Sequence, residues 1–465
     1  MKTFKTTILC LFACVYSSYA QSVQDIIDEV NVDTLNLIVR EFSGDISTVV
    51  DGNTVTIINR QQSNNDLAAD YLVQKFESLD NITITDQAFN SNGRNIIATQ
   101  LGKTNPNNIY IICAHYDSVA DYCADDNATG TAAVLEAARI LSTQCLDNTI
   151  VYALWDEEEI GLNGSSFYAN QAFNNGDNIL GVLNLDMIGY DSDPQGQSGD
   201  NEFDIDYINV ANSSGMKDDI INVLNSYTFD LSAIEVNPGT TNSDHASFWF
   251  VGNFPNDAYS AVLLGESWET NDQTPFYHSS GDRYSTLDLP YFHELTKLVT
   301  AYMATVGGLI DVDNGITQTV TTLTANQASA SYQWINCDTD LPISGATSQS
   351  YIPTVNGSYA VEITSGSCTE LSQCIEFSTL GLDAFLASEV SVFPNPVKTN
   401  LNVAISNNTE AIALDLFDVS GKLISQKRIT NKENMFLQMK NMSSGIYFLK
   451  VSSSEKSGAY KIVKE

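Results

Sequence analysis

Between residues 25 and 80 the apolar positions recur every three or four residues. The pattern is clearest from Asn65 to Leu79, where Leu67, Ala68, Tyr71, Leu72 and Phe76 share one face. That period predicts an amphipathic helix behind an Asn- and Ser-rich cap region. The texture then changes to short apolar runs at Ile109 to Cys113, Thr149 to Leu154, Leu180 to Leu185 and Ala261 to Leu264, separated by helical or loop segments. Runs that are apolar at nearly every position suit strands covered on both faces. The expected fold is therefore α/β, a mixed, largely parallel sheet sandwiched by helices. One helix is expected to carry Ala132, Ala133, Leu135, Ala138 and Leu141, and another to run from Tyr291 to Met303.

Past residue 310 the chain becomes rich in Thr, Ser, Gln and Gly with short alternating runs, which predicts two small all-β modules. Residues 313–380 read as an immunoglobulin-like β-sandwich, with Tyr332-Gln333-Trp334 early and Gly357 to Val361 late. Residues 390–465 form the second module, punctuated at Gly421-Lys422 and Ser444-Gly445. Residues 21–312 are left as one large domain. The first twenty read as a cleavable export leader: Lys2 and Lys5, an apolar stretch from Ile8 to Tyr16, then Ser18-Tyr19-Ala20. That stretch is about half the ~20 residues a membrane span needs. A lipid-modified Cys14 is the alternative, disfavoured by Phe12 and by the apolar residues continuing past it.

Charge narrows the function classes. Of 465 residues, 21 are Lys or Arg and 57 Asp or Glu, a formal charge of −36, yet 43% are apolar and only 17% charged. The balance is that of a folded protein whose acidic surface repels nucleic acid and anionic lipid and favours cationic partners, free amino termini among them. Residues 391–465 are the exception at +4, leaving −40 on residues 1–390. Of eight cysteines, Cys10 and Cys14 would leave with the leader, and Cys113, Cys123, Cys145, Cys337, Cys368 and Cys374 remain. None has zinc-finger spacing, so a few disulfides and a buried thiol are expected.

Polar residues gather where the apolar runs stop. Cys113 runs into Ala114-His115-Tyr116-Asp117, Leu154 into Trp155-Asp156-Glu157-Glu158-Glu159, and Leu185 into Asp186. In sheets of this type ligands bind beyond the carboxyl ends of strands. The spacing of His115 and Asp117 puts both side chains on one side of an extended chain, which lets the carboxylate orient the imidazole as beside a metal-bound histidine. The pair Asp125-Asp126 precedes a helix, where capping explains one acid but not two. Four successive carboxylates at Asp156 to Glu159 are a solvated loop if taken alone, but a buried strand before them and Ile160-Gly161-Leu162 after argue for a cleft holding a cation. Together His115, Asp125, one of the glutamates, Asp186 and His278 make two imidazoles and three carboxylates, a donor set zinc accepts, and a shared carboxylate permits two ions. Of Glu158 and Glu159, one could bind metal and the other serve as base.

The order His-x-Asp, Ala-Asp-Asp-Asn-Ala-Thr-Gly, Glu-Glu-Ile-Gly-Leu-x-Gly-Ser, Leu-Asp-Met-Ile-Gly and Tyr-His resembles the di-zinc exopeptidase family of secreted bacterial leucyl aminopeptidases and glutamate carboxypeptidase-like enzymes. The likeness covers roughly residues 30–310. It implies two Zn2+ per chain, with Asp125 as the bridge, Glu159 and His278 completing one site, and His115 and Asp186 the other. It also implies a cis peptide between Asp125 and Asp126, Asp117 as a catalytic-site residue, and an aminopeptidase that attacks the peptide carbonyl with metal-bound hydroxide while Glu158 shuttles the proton. The stretch Ser243 to Phe248 fits the pattern, with Asp244 and His245 as pocket-shaping groups, whereas His293, on its helix, has no expected role. Gly239 to Asn242 stands where some relatives carry a Tyr, and the six acids between Asp191 and Asp206 lack EF-hand spacing.

Residues 390–465, through Val392-Phe393-Pro394-Asn395-Pro396, Leu416 to Lys422 and Ser444 to Phe448, are similar to the sorting domain of type IX secretion cargo. That implies contact with the secretion machinery, passage across an outer membrane, and a secreted or cell-surface product. Two rival readings remain. One is a glutaminyl cyclase of the same fold with one zinc, the other an inactive peptidase-like domain used for binding or adhesion. Serine hydrolysis is disfavoured because the chain has no Gly-x-Ser-x-Gly.

Overall fold

The computed structural model describes residues 22–61, 65–192, 201–319, 321–366, 368–378, 383–384, 389–406, 411–429, 435–453 and 456–465. The expected leader, with Cys10 and Cys14, and residues 193–200 of the acidic stretch lie outside them. The chain divides into two compact units, one of residues 1–315, 325–333 and 361–373, the other of 316–324, 334–360 and 374–465. The segment 313–380 is thus shared between them and not set off as one module.

The first unit opens with α1 (Val23–Glu29) and α2 (Val32–Phe42), a small hairpin of β1 (Thr48–Val50) and β2 (Asn53–Val55), and α3 (Asp66–Glu77). Eight strands follow: β3 (Thr83–Ala88), β4 (Arg94–Gln100), β5 (Asn105–His115), β6 (Asn148–Trp155), β7 (Asn178–Leu185), β8 (Glu202–Asp206), β9 (Ser232–Val236) and β10 (Ala261–Glu266). Between and after them lie α4 (Gly130–Leu141), α5 (Asn163–Asn175), α6 (Ser213–Ser226), α7 (His245–Trp249) and α8 (Leu289–Gly307). The strands form one sheet in the order β3-β4-β6-β5-β7-β10-β8-β9. It is mixed, as expected: β6, β5, β7 and β10 run parallel, as do β8 and β9, while β3–β4, β4–β6 and β10–β8 are antiparallel.

The apolar runs work as the pattern requires. On β5, Ile112 and Ala114 pack with α1–α4 and α8 on one face, whereas Ile111 and Cys113 pack with α5 and α7 on the other. On β6, Ile150, Tyr152 and Leu154 alternate in the same way with Val151, Ala153 and Trp155. Each such Ile or Leu contributes about 1.5–3 kcal/mol by leaving water, so the centre of the sheet is its firmest part. Asp288 caps α8 by accepting the Tyr291 N–H at 3.0 Å. His293 on that helix meets the Val30 carbonyl at 2.9 Å, a packing contact.

A disulfide joins Cys145, just after α4, to Cys368 within the first unit, and Cys337–Cys374 closes a loop within the second. Cys113 and Cys123 are free and buried. The described residues after 312 are all-β. In the C-terminal part, strands Ile412–Asp418 and Leu423–Ile429 pair antiparallel around the expected turn at Gly421, whose φ is +81°. Leu401, Leu414, Leu416, Leu449, Val451 and Ile462 make the core there. Among the described residues no helix is long and apolar enough to cross a membrane.

Candidate functional site

Because β5, β6 and β7 are mutually parallel, their carboxyl ends share one edge of the sheet. His115 is the last residue of β5, Asp156 to Glu159 follow β6, and Asp186 follows β7. Into the same space the turn before α4 delivers Asp126, and the loop after β10 delivers His278.

The distances sort these side chains into two groups. His115 Nε2 lies 3.3 Å from Asp126 Oδ1 and 3.3 Å from Asp186 Oδ1. His278 Nε2 lies 3.4 Å from Asp126 Oδ2 and 3.1 Å from Glu159 Oε2. Donors held about 2.0–2.1 Å from a tetrahedral ion stand about 3.3–3.4 Å apart. Each group therefore has the dimensions of a zinc site, and the two share one carboxylate, that of Asp126. Asp126 Oδ2 and Glu159 Oε1 are buried and make no hydrogen bond, so protein donors leave them open to a cation.

Asp125 does not take the bridging place expected of it. Its Oδ1 accepts the Gly189 N–H at 2.8 Å and the Thr129 hydroxyl at 3.2 Å, away from both histidines. The cis peptide is correspondingly Asp126–Asn127, not Asp125–Asp126. The reason is the backbone of the turn. Asp282 accepts the N–H groups of both Asp125 and Asp126, at 2.9 and 3.0 Å, which holds the two residues in one orientation and sends their side chains apart. Just upstream, Tyr122 and Cys123 have φ of +75° and +45°. That region costs an L residue about 1–2 kcal/mol, so the approach to Asp126 is strained. Downstream the chain passes so close to β7 that a Cβ on Gly130 would sit 2.8 Å from the Leu185 carbonyl oxygen, which explains the glycine of the Thr-Gly pair.

Of the supporting residues, the spacing suggested Asp117. Asp117 Oδ1 is 3.4 Å from His115 Nδ1, and its two oxygens accept the N–H groups of Glu158 and Glu159 at 3.1 and 3.3 Å. One carboxylate thus orients the imidazole and places the glutamate loop. Ser243, noted only as part of a motif, donates to Asp186 Oδ2 at 2.6 Å and accepts from Asn184 at 2.7 Å. His245 points its Nε2 at the Thr240 carbonyl at 2.9 Å, and burial lowers its pKa to about 4. It is a fully buried, neutral side chain behind the loop that carries Ser243. His278, with φ +55°, stacks on Tyr277 at 3.7 Å between ring centroids.

Electrostatically the site is starved of positive charge. Burial first, then neighbouring carboxylates, pushes Glu158 up to about 10 and Glu159 up to about 9. Burial opposes a charge on His115, but Asp186 and Glu158 outweigh it and its pKa rises. A divalent ion reverses this balance and stabilises the ionised carboxylates. The residues present fit such an ion. They open on a cavity of about 750 Å³ that also has Trp268, Tyr277, Asp206 and Glu269 on its walls and, among the described residues, no Lys or Arg.

A mixed α/β sheet with one carboxylate placed between two histidines at its carboxyl edge defines the class, an α/β fold with a candidate metal centre. The comparisons with known proteins give the family. Residues 95–303 match peptidase family M28, and residues 391–465 match the secretion system C-terminal sorting domain. The chain thus carries an M28 peptidase domain and a sorting domain. A probable zinc metalloprotease of Leptosphaeria maculans is 38% identical over 112 residues, 22% of this chain and 26% of that protein. A probable aminopeptidase of Saccharomyces cerevisiae is 30% identical over 230 residues, 46% of this chain and 57% of that one. The matches therefore span about a quarter of the first relative and little more than half of the second. In fold, the chain is similar to the Legionella pneumophila LapA aminopeptidase, with a TM-score of 0.52 at 19% identity over 62% of this chain and 74% of that one.

Proposed function

We propose that the protein is an exported zinc aminopeptidase that removes amino-terminal residues from peptides, with residues 21–312 as its peptidase domain. The observation that carries this is Asp126 lying 3.3 Å from His115 and 3.4 Å from His278, so that one carboxylate serves two three-donor groups. His115, Asp126 and Asp186 would hold one zinc, and His278, Asp126 and Glu159 the other. When bound, zinc polarises a peptide carbonyl and acidifies water. Glu158, buried beside both groups and used by neither, takes the proton from the attacking water and returns it to the leaving amine. Asp117 keeps His115 and the Glu158 loop in register. The acidic cavity, which among the described residues has no Lys or Arg on its walls, suits the ammonium group of a free amino terminus. The sorting domain supports passage through a type IX machinery after a leader over residues 1–20 is removed, to a secreted or surface-attached state.

The test is a panel of aminoacyl anilides, amino-blocked peptides and Gln-peptides, assayed with and without chelator, alongside metal analysis. Two zinc ions per chain and chelator-sensitive cleavage of unblocked substrates alone are expected. One zinc with cyclisation of amino-terminal Gln would replace this reading by the cyclase. Indifference of the protein to zinc would point to the binding role.

A further inference from the structure

We propose that Arg60 is a positioning residue that clamps the loop joining the two halves of the metal centre, and thereby sets zinc affinity. This rests on the zinc-binding reading above. Arg60 lies at the end of the segment before α3, yet it has no exposure to solvent. Its guanidinium is spent on main-chain carbonyls. Nε donates to Tyr116 at 2.9 Å, Nη1 to Tyr122 at 2.7 Å and to Phe42 at 3.0 Å, and Nη2 to Cys123 at 2.8 Å. Among the described residues no carboxylate forms an ion pair with it.

Those acceptors are not scattered. Tyr116 sits between His115 and Asp117, and Cys123 is three residues before Asp126. One planar group therefore grips both ends of the loop that connects one ligand to the bridging one. The neighbours of Arg60 extend the grip: Asn59 donates to Asp121 at 2.8 Å, the Arg60 N–H to Ser118 at 3.2 Å, Gln61 to the Val119 carbonyl, and the Tyr122 N–H to the Ile58 carbonyl at 2.7 Å. The two residues of the loop in the left-handed region, Tyr122 and Cys123, are the ones whose carbonyls Nη1 and Nη2 hold. A strained turn keeps its shape only where its surroundings impose it, and here the guanidinium does so. Lysine cannot substitute, because an ammonium has three donors on one atom and no rigid fork. The buried charge also faces the carboxylates of Asp282, Asp126 and Asp117.

The experiment uses the full chain with R60K and R60A. Zinc affinity is measured by competition with a chromophoric chelator. In parallel, the zinc-free proteins are exposed to a thiol reagent and labelling of Cys123 and Cys113, both fully buried, is mapped by mass spectrometry. Loss of a residue that orients metal ligands weakens binding about 10–100-fold, and that loss is expected in both variants. Cys123 should label at least about tenfold faster on that same scale while Cys113 keeps its rate, and millimolar guanidinium should restore R60A but not R60K. Unchanged zinc affinity with unchanged Cys123 labelling overturns the proposal. So does equal acceleration at both cysteines with no rescue, which marks plain destabilisation. If R60A does not fold, R60K decides by the same two readouts. A wild-type chain that binds no zinc refutes the zinc-binding reading and, with it, the effect on affinity, while thiol labelling still decides whether Arg60 holds the loop.

Discussion

Asparagine at position 126 and asparagine at position 125 should behave as opposites, although the residues are neighbours and chemically identical. Asp126→Asn keeps the shape of the side chain but removes the charge shared by the two histidine groups, at 3.3 and 3.4 Å. Removing one partner of a buried charged set costs about 3–5 kcal/mol. At 1.36 kcal/mol per decade that is about 10²- to 10⁴-fold in zinc affinity. Because both groups use the carboxylate, both zinc equivalents should weaken and hydrolysis should fall with them. Asp125→Asn leaves an amide oxygen that still accepts from Gly189 and Thr129, now at 2.8 and 3.2 Å, and its NH2 can meet the buried carboxyl of Glu266. With the hydrogen bonds conserved, zinc affinity should stay within about threefold of wild type. The assay is chelator competition on both proteins, with zinc content after dialysis as a check. A large loss at position 125 and little at 126 would refute the reasoning and restore Asp125 as the bridge.

Other consequences follow from the same geometry. Glu158→Gln should retain zinc but lose about 10²- to 10⁴-fold in turnover, the usual contribution of a general acid–base. Equal loss of metal would show that Glu158 and Glu159 exchange roles. In the zinc-free protein Glu158 and Glu159 have pKa values raised to about 10 and about 9, so the folded state holds protons that the unfolded state gives up above its ordinary pKa of 4.5. Stability should accordingly be greatest in mild acid and decline from about pH 4.5, fully for Glu159 by about pH 9 and for Glu158 by about pH 10. Zinc should flatten that slope, and thermal melts across pH with and without zinc will show whether it does. Replacing Cys145 with Ser removes a cross-link spanning 223 residues, and a loss of about 2–5 kcal/mol is expected, read as a lower melting temperature than the oxidised wild type.

How much of the site was legible depended on where each residue sat. His115 and Asp186 stood out because His115 closes β5 and Asp186 follows β7 directly, each after a buried and largely apolar run, and a polar group there has few structural excuses. Asp117 was legible from its two-residue spacing. His278 lies in an irregular loop with a left-handed backbone, where no periodicity exists to read; it entered the donor set as one of four histidines, and the Tyr-His resemblance gave it its place. Ser243 belonged to a motif whose neighbour His245 looked the more chemical of the two, yet it is the serine that holds Asp186. Arg60 gave no signal at all. It sits in a polar stretch before a helix, where a charged residue is ordinarily exposed, and its partners are backbone carbonyls that no side-chain pattern reveals.

Local pattern determined the layers and the edge of the sheet where the chemistry gathers, since alternation and burial follow from each segment's own side chains. The chain alone was enough for the donor types and the foreign, basic C-terminal piece. Which of two adjacent aspartates faces the histidines was decided only by tertiary structure. That choice depends on Asp282, more than 150 positions away, accepting two consecutive N–H groups and turning the backbone. A contact between distant segments leaves no period in either one, so it exists only once the chain has folded.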